Sequence, residues 1–175
     1  MSRHVGIFGP PECGKTTAAK AILRERWRML RRRAIVVDLN GDAWPAHCLV
    51  FNSLDRALAF AWRVSGCDFV IDDASGQIYR DAGHNDLFTR IRHQQHTLFV
   101  IGHNATILLP IQREALGTLL LFRQSPKAIA AWVEDWAEPR IEAAANMRAY
   151  EFLFCKRFGA ADGSHLVQSG RFAAP

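Results

Sequence analysis

A chain of 175 residues with 49% hydrophobic and 22% charged side chains has the length of one domain, residues 1–175, and the makeup of a globular protein. That excludes disordered, collagen-like and disulfide-scaffold classes. Its 22 Lys and Arg against 17 Asp and Glu leave a net charge of +5, nearly all of it arginine, which points to an anionic partner with nucleic acid first.

The opening Met1-Ser2-Arg3-His4 leads at once into a short apolar run, unlike a signal peptide. Residues 5–8 (Val-Gly-Ile-Phe) read as a buried strand, and a helix is expected over 15–30 with Ala18, Ala19, Ile22, Leu23 and Leu30 as its buried stripe. A second apolar strand at 34–39 ends in the turn Asn40-Gly41-Asp42. A short strand follows at 48–51. Ser53 is placed to cap a helix over 54–64, which Ser65-Gly66 ends. Residues 67–73 form a strand that finishes in Asp72-Asp73, and 76–83 reads as loop. A helix over 85–95 precedes a strand at 97–102, and a further strand is expected at 118–123. The stretch from 97 to 111, interrupted by His103, Asn104 and Pro110, is too broken to span a membrane. Ser125-Pro126 opens a helix to about 136, and Pro139 another to about 147. Strands at 150–156 and 165–172 flank Asp162-Gly163 as a terminal hairpin. Apolar strands alternating with helices predict an α/β fold, a mainly parallel sheet with helices on both faces.

Between the first strand and its helix lies Gly9-Pro10-Pro11-Glu12-Cys13-Gly14-Lys15-Thr16-Thr17, the full P-loop pattern in its expected context. Backbone N–H groups of such a loop, with the helix N-terminus, wrap the phosphates of ATP. Lys15 is expected to reach the β- and γ-phosphates, and the Thr16 hydroxyl to ligate Mg²⁺. Thr17 is placed on the α-phosphate side. Cys13 is expected as a small loop side chain whose backbone alone matters, with a redox-sensitive thiol at the helix N-terminus as the alternative. Asp72 is expected to hold Mg²⁺ with Thr16, and Asp73 to polarise the attacking water. Both roles require the strand to end and turn there, because adjacent strand residues point opposite ways.

Asn104, with His103 as runner-up, is the candidate γ-phosphate sensor at the end of the 97–102 strand. Of the downstream arginines (Arg90, Arg92, Arg113 and Arg123), Arg92 and then Arg123 are the candidates to reach a neighbouring subunit's γ-phosphate. His93-x-x-His96 lacks the acid or cysteine that would complete a metal site, and the four cysteines, Cys13, Cys48, Cys67 and Cys155, contain no CxxC pair. Free thiols suit a reducing compartment. Lys20, Arg24, Arg26, Arg28, Arg31, Arg32 and Arg33 are set against Glu25 alone. The helix carries this cluster roughly 25 Å from the P-loop, as a solubilising end or as a contact for DNA or an acidic partner. Trp132 and Trp136, four apart on one helix, are expected to be a packed aromatic stripe.

The motif order resembles the FtsK–HerA group of DNA-translocating ATPases, above all the genome-packaging ATPases of membrane-containing icosahedral viruses. The likeness rests on 9–17, on Phe69-Val-Ile-Asp-Asp73, on Arg92-His93, on residues 119–124 (Leu-Leu-Leu-Phe-Arg-Gln) and on the terminal hairpin. Asp73 stands where that group usually has glutamate, and Asn104 where it usually has glutamine. The resemblance implies a RecA-like P-loop fold and a motor that packages viral double-stranded DNA into a preformed capsid. It implies a homo-oligomeric ring, a hexamer, with ATP between subunits and DNA in the pore. Capsid-vertex or membrane proteins are further partners, and the host cytoplasm or the virion its place. A small P-loop nucleotide or metabolite kinase is the alternative enzyme, although the 74–83 segment holds only Arg80 for a lid. A nucleotide-gated assembly or secretion module is the non-enzymatic alternative.

Overall fold

The computed structural model describes residues 4–172; Met1, Ser2 and Arg3, read above as no leader, lie outside them. In chain order the elements are β1 (His4–Phe8), α1 (Lys15–Leu30), β2 (Ala34–Asp38), β3 (Cys48–Phe51), α2 (Leu54–Ala61), β4 (Asp68–Asp72), α3 (Ala74–Gln77), α4 (Asn85–Arg90), β5 (Thr97–Gly102), α5 (Pro110–Glu114), β6 (Leu116–Leu121), α6 (Pro126–Trp136), β7 (Glu151–Lys156) and β8 (Leu166–Arg171). The strands form one eight-stranded sheet in the order β3-β2-β4-β5-β1-β6-β7-β8. The first six are parallel, and β7 and β8 add an antiparallel hairpin.

The continuous apolar runs have a simple cause: both faces of the sheet are covered. Alternate residues divide between them. Ile7, Val36, Val70, Ile101 and Leu120 pack with Ala18, Ala19 and Leu23 of α1. Phe8, Val37, Ile71, Val100 and Leu121 pack against α2, α4 and α6, with Trp132 and Trp136 fully inside, so the aromatic stripe is core. His4 ties the centre of the sheet to α4: its Nε2 donates to the Phe88 carbonyl at 3.0 Å, and its Nδ1 accepts from the Leu98 N–H at 3.1 Å. Burial holds this imidazole down to about 4, so the bridge is neutral near pH 7. His96 is likewise a core residue. It accepts from the Cys67 N–H and donates to the Ala61 carbonyl, while His93 is exposed. No described helix is long and apolar enough to cross a membrane.

Several expected elements are corrected. Leu30 is 59% exposed rather than buried, because α1 ends at Arg31 in a left-handed turn (φ 53°). The helix expected over 54–64 stops at Ala61. The segment read as loop over 76–83 begins inside the short helix α3 and runs into a 3₁₀ turn, Ala82–His84. The 85–95 helix is α-helical only to Arg90 and then tightens to 3₁₀ over Ile91–Gln94. The segment after Pro139 is 3₁₀ throughout (Pro139–Asn146). Near its end the Ala144 carbonyl, one of the last that no N–H of the segment itself would take, accepts from the Gln124 N–H at 3.1 Å. The strand expected at 118–123 lies two residues earlier, so Arg123 falls beyond it.

The basic cluster is corrected too. Asp68, from the start of β4, has a side chain only 1% exposed and gathers two of its arginines. Arg26 grips it with Nε and Nη2 at 2.7 and 2.8 Å, and Arg32 adds Nε at 2.9 Å. Lys20 pairs with Asp42 and Arg28 with Glu25. Arg24, Arg31 and Arg33 remain as exposed charges without an ion pair among the described residues. Asp68→Ala leaves two guanidiniums facing a dry strand end. It is expected to destabilise the fold by about 3 kcal/mol, read as a fall of roughly 6–12 °C in thermal midpoint.

Candidate functional site

The first strand ends at Phe8 in the middle of the sheet, and the loop that follows is held from both sides. The Gly9 N–H donates to the Gly102 carbonyl at 3.2 Å. A Cβ on Gly9 would lie 2.6 Å from Phe122 Cβ and 2.7 Å from Cys13 Sγ, so only glycine fits between β6 and the loop. Glu12 (φ 60°) and Gly14 (φ 102°) turn the backbone so that α1 starts at Lys15. No side chain caps that helix and no acid stands in its first turn. Its free N–H groups and positive dipole end therefore face the space in front of the loop, a geometry that favours phosphate. The Lys15 ammonium is folded over the loop, donating to the Pro10 carbonyl at 2.7 Å. The Tyr150 ring, just before β7, closes the flank of Gly14, 3.1 Å from where a Cβ would sit.

The Thr16 hydroxyl donates to Asp72 Oδ2 at 2.8 Å across 56 residues of sequence. That contact joins the helix after the loop to the tip of β4. Asp72 lies beside Asp38, the end of β2. Asp38 is already engaged: its carboxylate accepts from the N–H groups of Asn40 and Asp42 and from Trp44 Nε1. Burial, followed by the neighbouring Asp38, Asp42 and Asp73 carboxylates, pushes the Asp72 carboxyl up to about 6, although the Thr16 hydroxyl pulls the other way. An oxygen pair in an acidic, half-dry corner beside a phosphate cradle suits a hard divalent cation such as Mg²⁺.

Asp73 stands in the turn between β4 and α3, off the strand. Its Oδ1 accepts from the Ser75 N–H at 2.9 Å, capping α3, and its Oδ2 lies 3.3 Å from His103 Nε2. Asn104 follows β5, and its carbonyl oxygen is taken by the Thr106 N–H and hydroxyl. Its amide nitrogen is the group left to face a ligand. Thr17, at the first turn of α1, is exposed.

Burial pushes the Cys13 thiol up despite the nearby Lys15, which disfavours a thiolate there. Among the arginines, Arg90 pairs with Asp86, and Arg113 is held by Asp135 and the Leu108 carbonyl. Arg123 is exposed at the same sheet edge as the P-loop. Arg92 lies before β5, close enough to His4 at the start of β1 to act on its charge, and so at the opposite edge. A strand of five residues separates the two edges by roughly 16 Å, so Arg92 does not reach the phosphates of its own loop. Sequence reasoning did not single out Asp38, the pairing of His103 with Asp73, or Tyr150. The acid ending an apolar strand before Asn40-Gly41-Asp42 was a readable signal for Asp38; the other two are tertiary contacts.

No protein-family model and no curated protein matches the chain. Solved structures do. The genome packaging NTPase B204 of Sulfolobus turreted icosahedral virus 2, in complex with AMPPCP, matches with a TM-score of 0.73 at 14% identity, over 95% of this chain and 98% of that one. Its complex with ATP-gammaS gives a TM-score of 0.76 at 13% identity, over 99% and 100%. VirB4 of Thermoanaerobacter pseudethanolicus gives 0.71 at 14% identity, over 98% and 89%. The chain shares the fold of these solved structures. As the sequence led one to expect, the sheet is mostly parallel, helices cover both faces, and the C-terminal antiparallel hairpin β7–β8 extends it beside β6. In this frame the loop of residues 9–17, Asp72 and Asn104 all stand at the C-terminal ends of parallel strands, the edge at which open α/β sheets bind ligands.

Proposed function

We propose that the chain is an ATP-hydrolysing, DNA-translocating motor that packages viral double-stranded DNA into a preformed capsid. It works as a homo-oligomeric ring, a hexamer, in the host cytoplasm or on the virion. The observation that carries the ATPase part is the Thr16–Asp72 contact in front of an uncapped helix N-terminus. The DNA and capsid parts are supported by the likeness to B204, a genome packaging NTPase.

In this reading the backbone of Gly9 to Thr17 wraps the phosphates, and Lys15 exchanges the Pro10 carbonyl for the β- and γ-phosphates. Thr16 and Asp72 would hold Mg²⁺, which would supply positive charge to offset the charge developing on the transferred phosphoryl group. Asp73 orients the attacking water, and the Asn104 amide senses the γ-phosphate. Arg92 and Arg123 are exposed and reach a neighbouring subunit. For Arg92 that is the only mode compatible with its distance from its own loop. Arg24, Arg31 and Arg33 are the basic residues left free for DNA at the far end of α1, with capsid-vertex or membrane proteins as further partners.

The test is phosphate release from ATP with and without double-stranded DNA, beside the native mass with nucleotide. A ring-sized mass and DNA-stimulated turnover are expected, with stimulation falling as salt rises. DNA-independent turnover would favour the assembly or secretion module, which the likeness to VirB4 supports. A phosphorylated small-molecule product would establish the kinase.

A further inference from the structure

Asp73 accepts a hydrogen bond at Oδ1, its Oδ2 lies at ion-pair distance from His103, and the two contacts differ in kind. The Ser75 N–H on Oδ1 is local and would persist in any chain that turns into a helix there. The contact of Oδ2 with His103 Nε2 spans 30 residues and exists only because β4 and β5 are neighbours in the sheet, with Ile71 beside Val100. Continued beyond the strands, that register brings Asp73 next to Gly102 and His103.

The imidazole has no competing task. Its Nδ1 is buried and has no partner among the described residues. An unpaired buried N–H is costlier than an unpaired lone pair, so the ring proton belongs on Nε2, where it meets Asp73. The contact is half open to water, with the side chains 41% and 36% exposed, and so stands where a nucleophilic water could arrive. Aspartate is one methylene shorter than glutamate. A short carboxylate tied only at Oδ1 could still swing its free oxygen, and a second tie stops it.

We infer that His103 is a positioning residue for ATP hydrolysis: its Nε2–H fixes the Asp73 carboxylate in the orientation that aligns the attacking water. The inference rests on the ATPase reading above. It makes His103 a partner of the acid rather than a second γ-phosphate sensor beside Asn104. Loss of alignment costs rate rather than binding, because residues 9–17 hold the phosphates.

The test compares wild type, His103→Ala, His103→Gln and Asp73→Asn, alone and with His103→Ala, by steady-state phosphate release with ATP, Mg²⁺ and DNA. His103→Ala should lower kcat about 10–100-fold with KM for ATP unchanged and the same thermal shift on adding nucleotide. His103→Gln, whose amide N–H can replace Nε2–H, should recover activity to within a few-fold of wild type. In the Asp73→Asn background His103→Ala should add little, since the two residues act as a unit. A wild-type kcat in His103→Ala overturns the inference, as does an equal loss in His103→Gln or a full further loss on top of Asp73→Asn. A defect confined to KM overturns it as well. If wild type itself releases no phosphate, the ATPase reading fails and His103 loses its role with it. If wild type is active and His103→Ala is unaffected, only the role of His103 falls.

Discussion

Lys15→Ala is expected to lower the rate of ATP hydrolysis by at least about 10²–10³-fold, the cost typical of removing one preorganised donor from a site of developing charge. The fold should survive it. The ammonium donates to the exposed Pro10 carbonyl of its own loop, and among the described residues no buried partner is orphaned by its loss. Nucleotide affinity should fall with the rate, since the same charge faces the bound phosphates before and during transfer. Phosphate release and the thermal shift on adding ATP check both. Near-normal turnover would remove residues 9–17 as the phosphate cradle and, with it, the proposed ATPase activity.

Asp72→Asn is expected to do something less intuitive: abolish Mg²⁺-dependent hydrolysis while stabilising the metal-free protein. Asp72 titrates near 6 in the fold, above the ordinary carboxylate value of 3.8. The native state therefore binds this proton more tightly than the unfolded chain does. The resulting stabilisation is fully present below pH 4 and is lost as pH rises through 6. At pH 7 to 8 an ionised, half-dry carboxylate surrounded by Asp38, Asp42 and Asp73 costs up to about 3 kcal/mol. The asparagine variant escapes that cost. Its thermal midpoint without metal should exceed that of wild type at pH 8, and the difference should shrink towards zero near pH 4. Added Mg²⁺ with nucleotide should stabilise wild type and leave the variant nearly unmoved by the metal. A variant that is less stable at pH 8, or that keeps its metal-dependent turnover, would move the cation site away from Asp72.

The two effects share one cause. The same crowding of carboxylates that would suit a cation is costly to the fold without one, and the Thr16 hydroxyl offsets only part of that cost. Function and stability pull in opposite directions at this residue, as they often do where charge of one sign is collected.

Most of the architecture was readable along the chain. The start and end of α1 at Lys15 and Leu30, the cap at Ser53, the start of α6 after Ser125 and the terminal hairpin follow from turn chemistry and apolar period, which are local. The misjudged features were mostly helix ends and windings: the 54–64 helix stops at Ala61, and the segments after Arg90 and Pro139 wind as 3₁₀.

The candidate site divides in the same way. Composition and motif by themselves determined the P-loop, the acid at the tip of the apolar strand and a polar residue after the next one, because each is a short run whose chemistry depends on adjacent residues. Tertiary structure alone decided what the charges do. Arg26 and Arg32 look like surface charge in sequence and are anchors for Asp68 in space. Arg113 belongs to Asp135, and burial pushes the Cys13 thiol up. Arg92 and Lys15 lie at opposite edges of the sheet, and His103 meets Asp73. A charge or a hydrogen bond takes its energy from what stands a few ångströms away. In a parallel sheet those neighbours come from strands that are adjacent in the layer and dozens of residues apart in the chain.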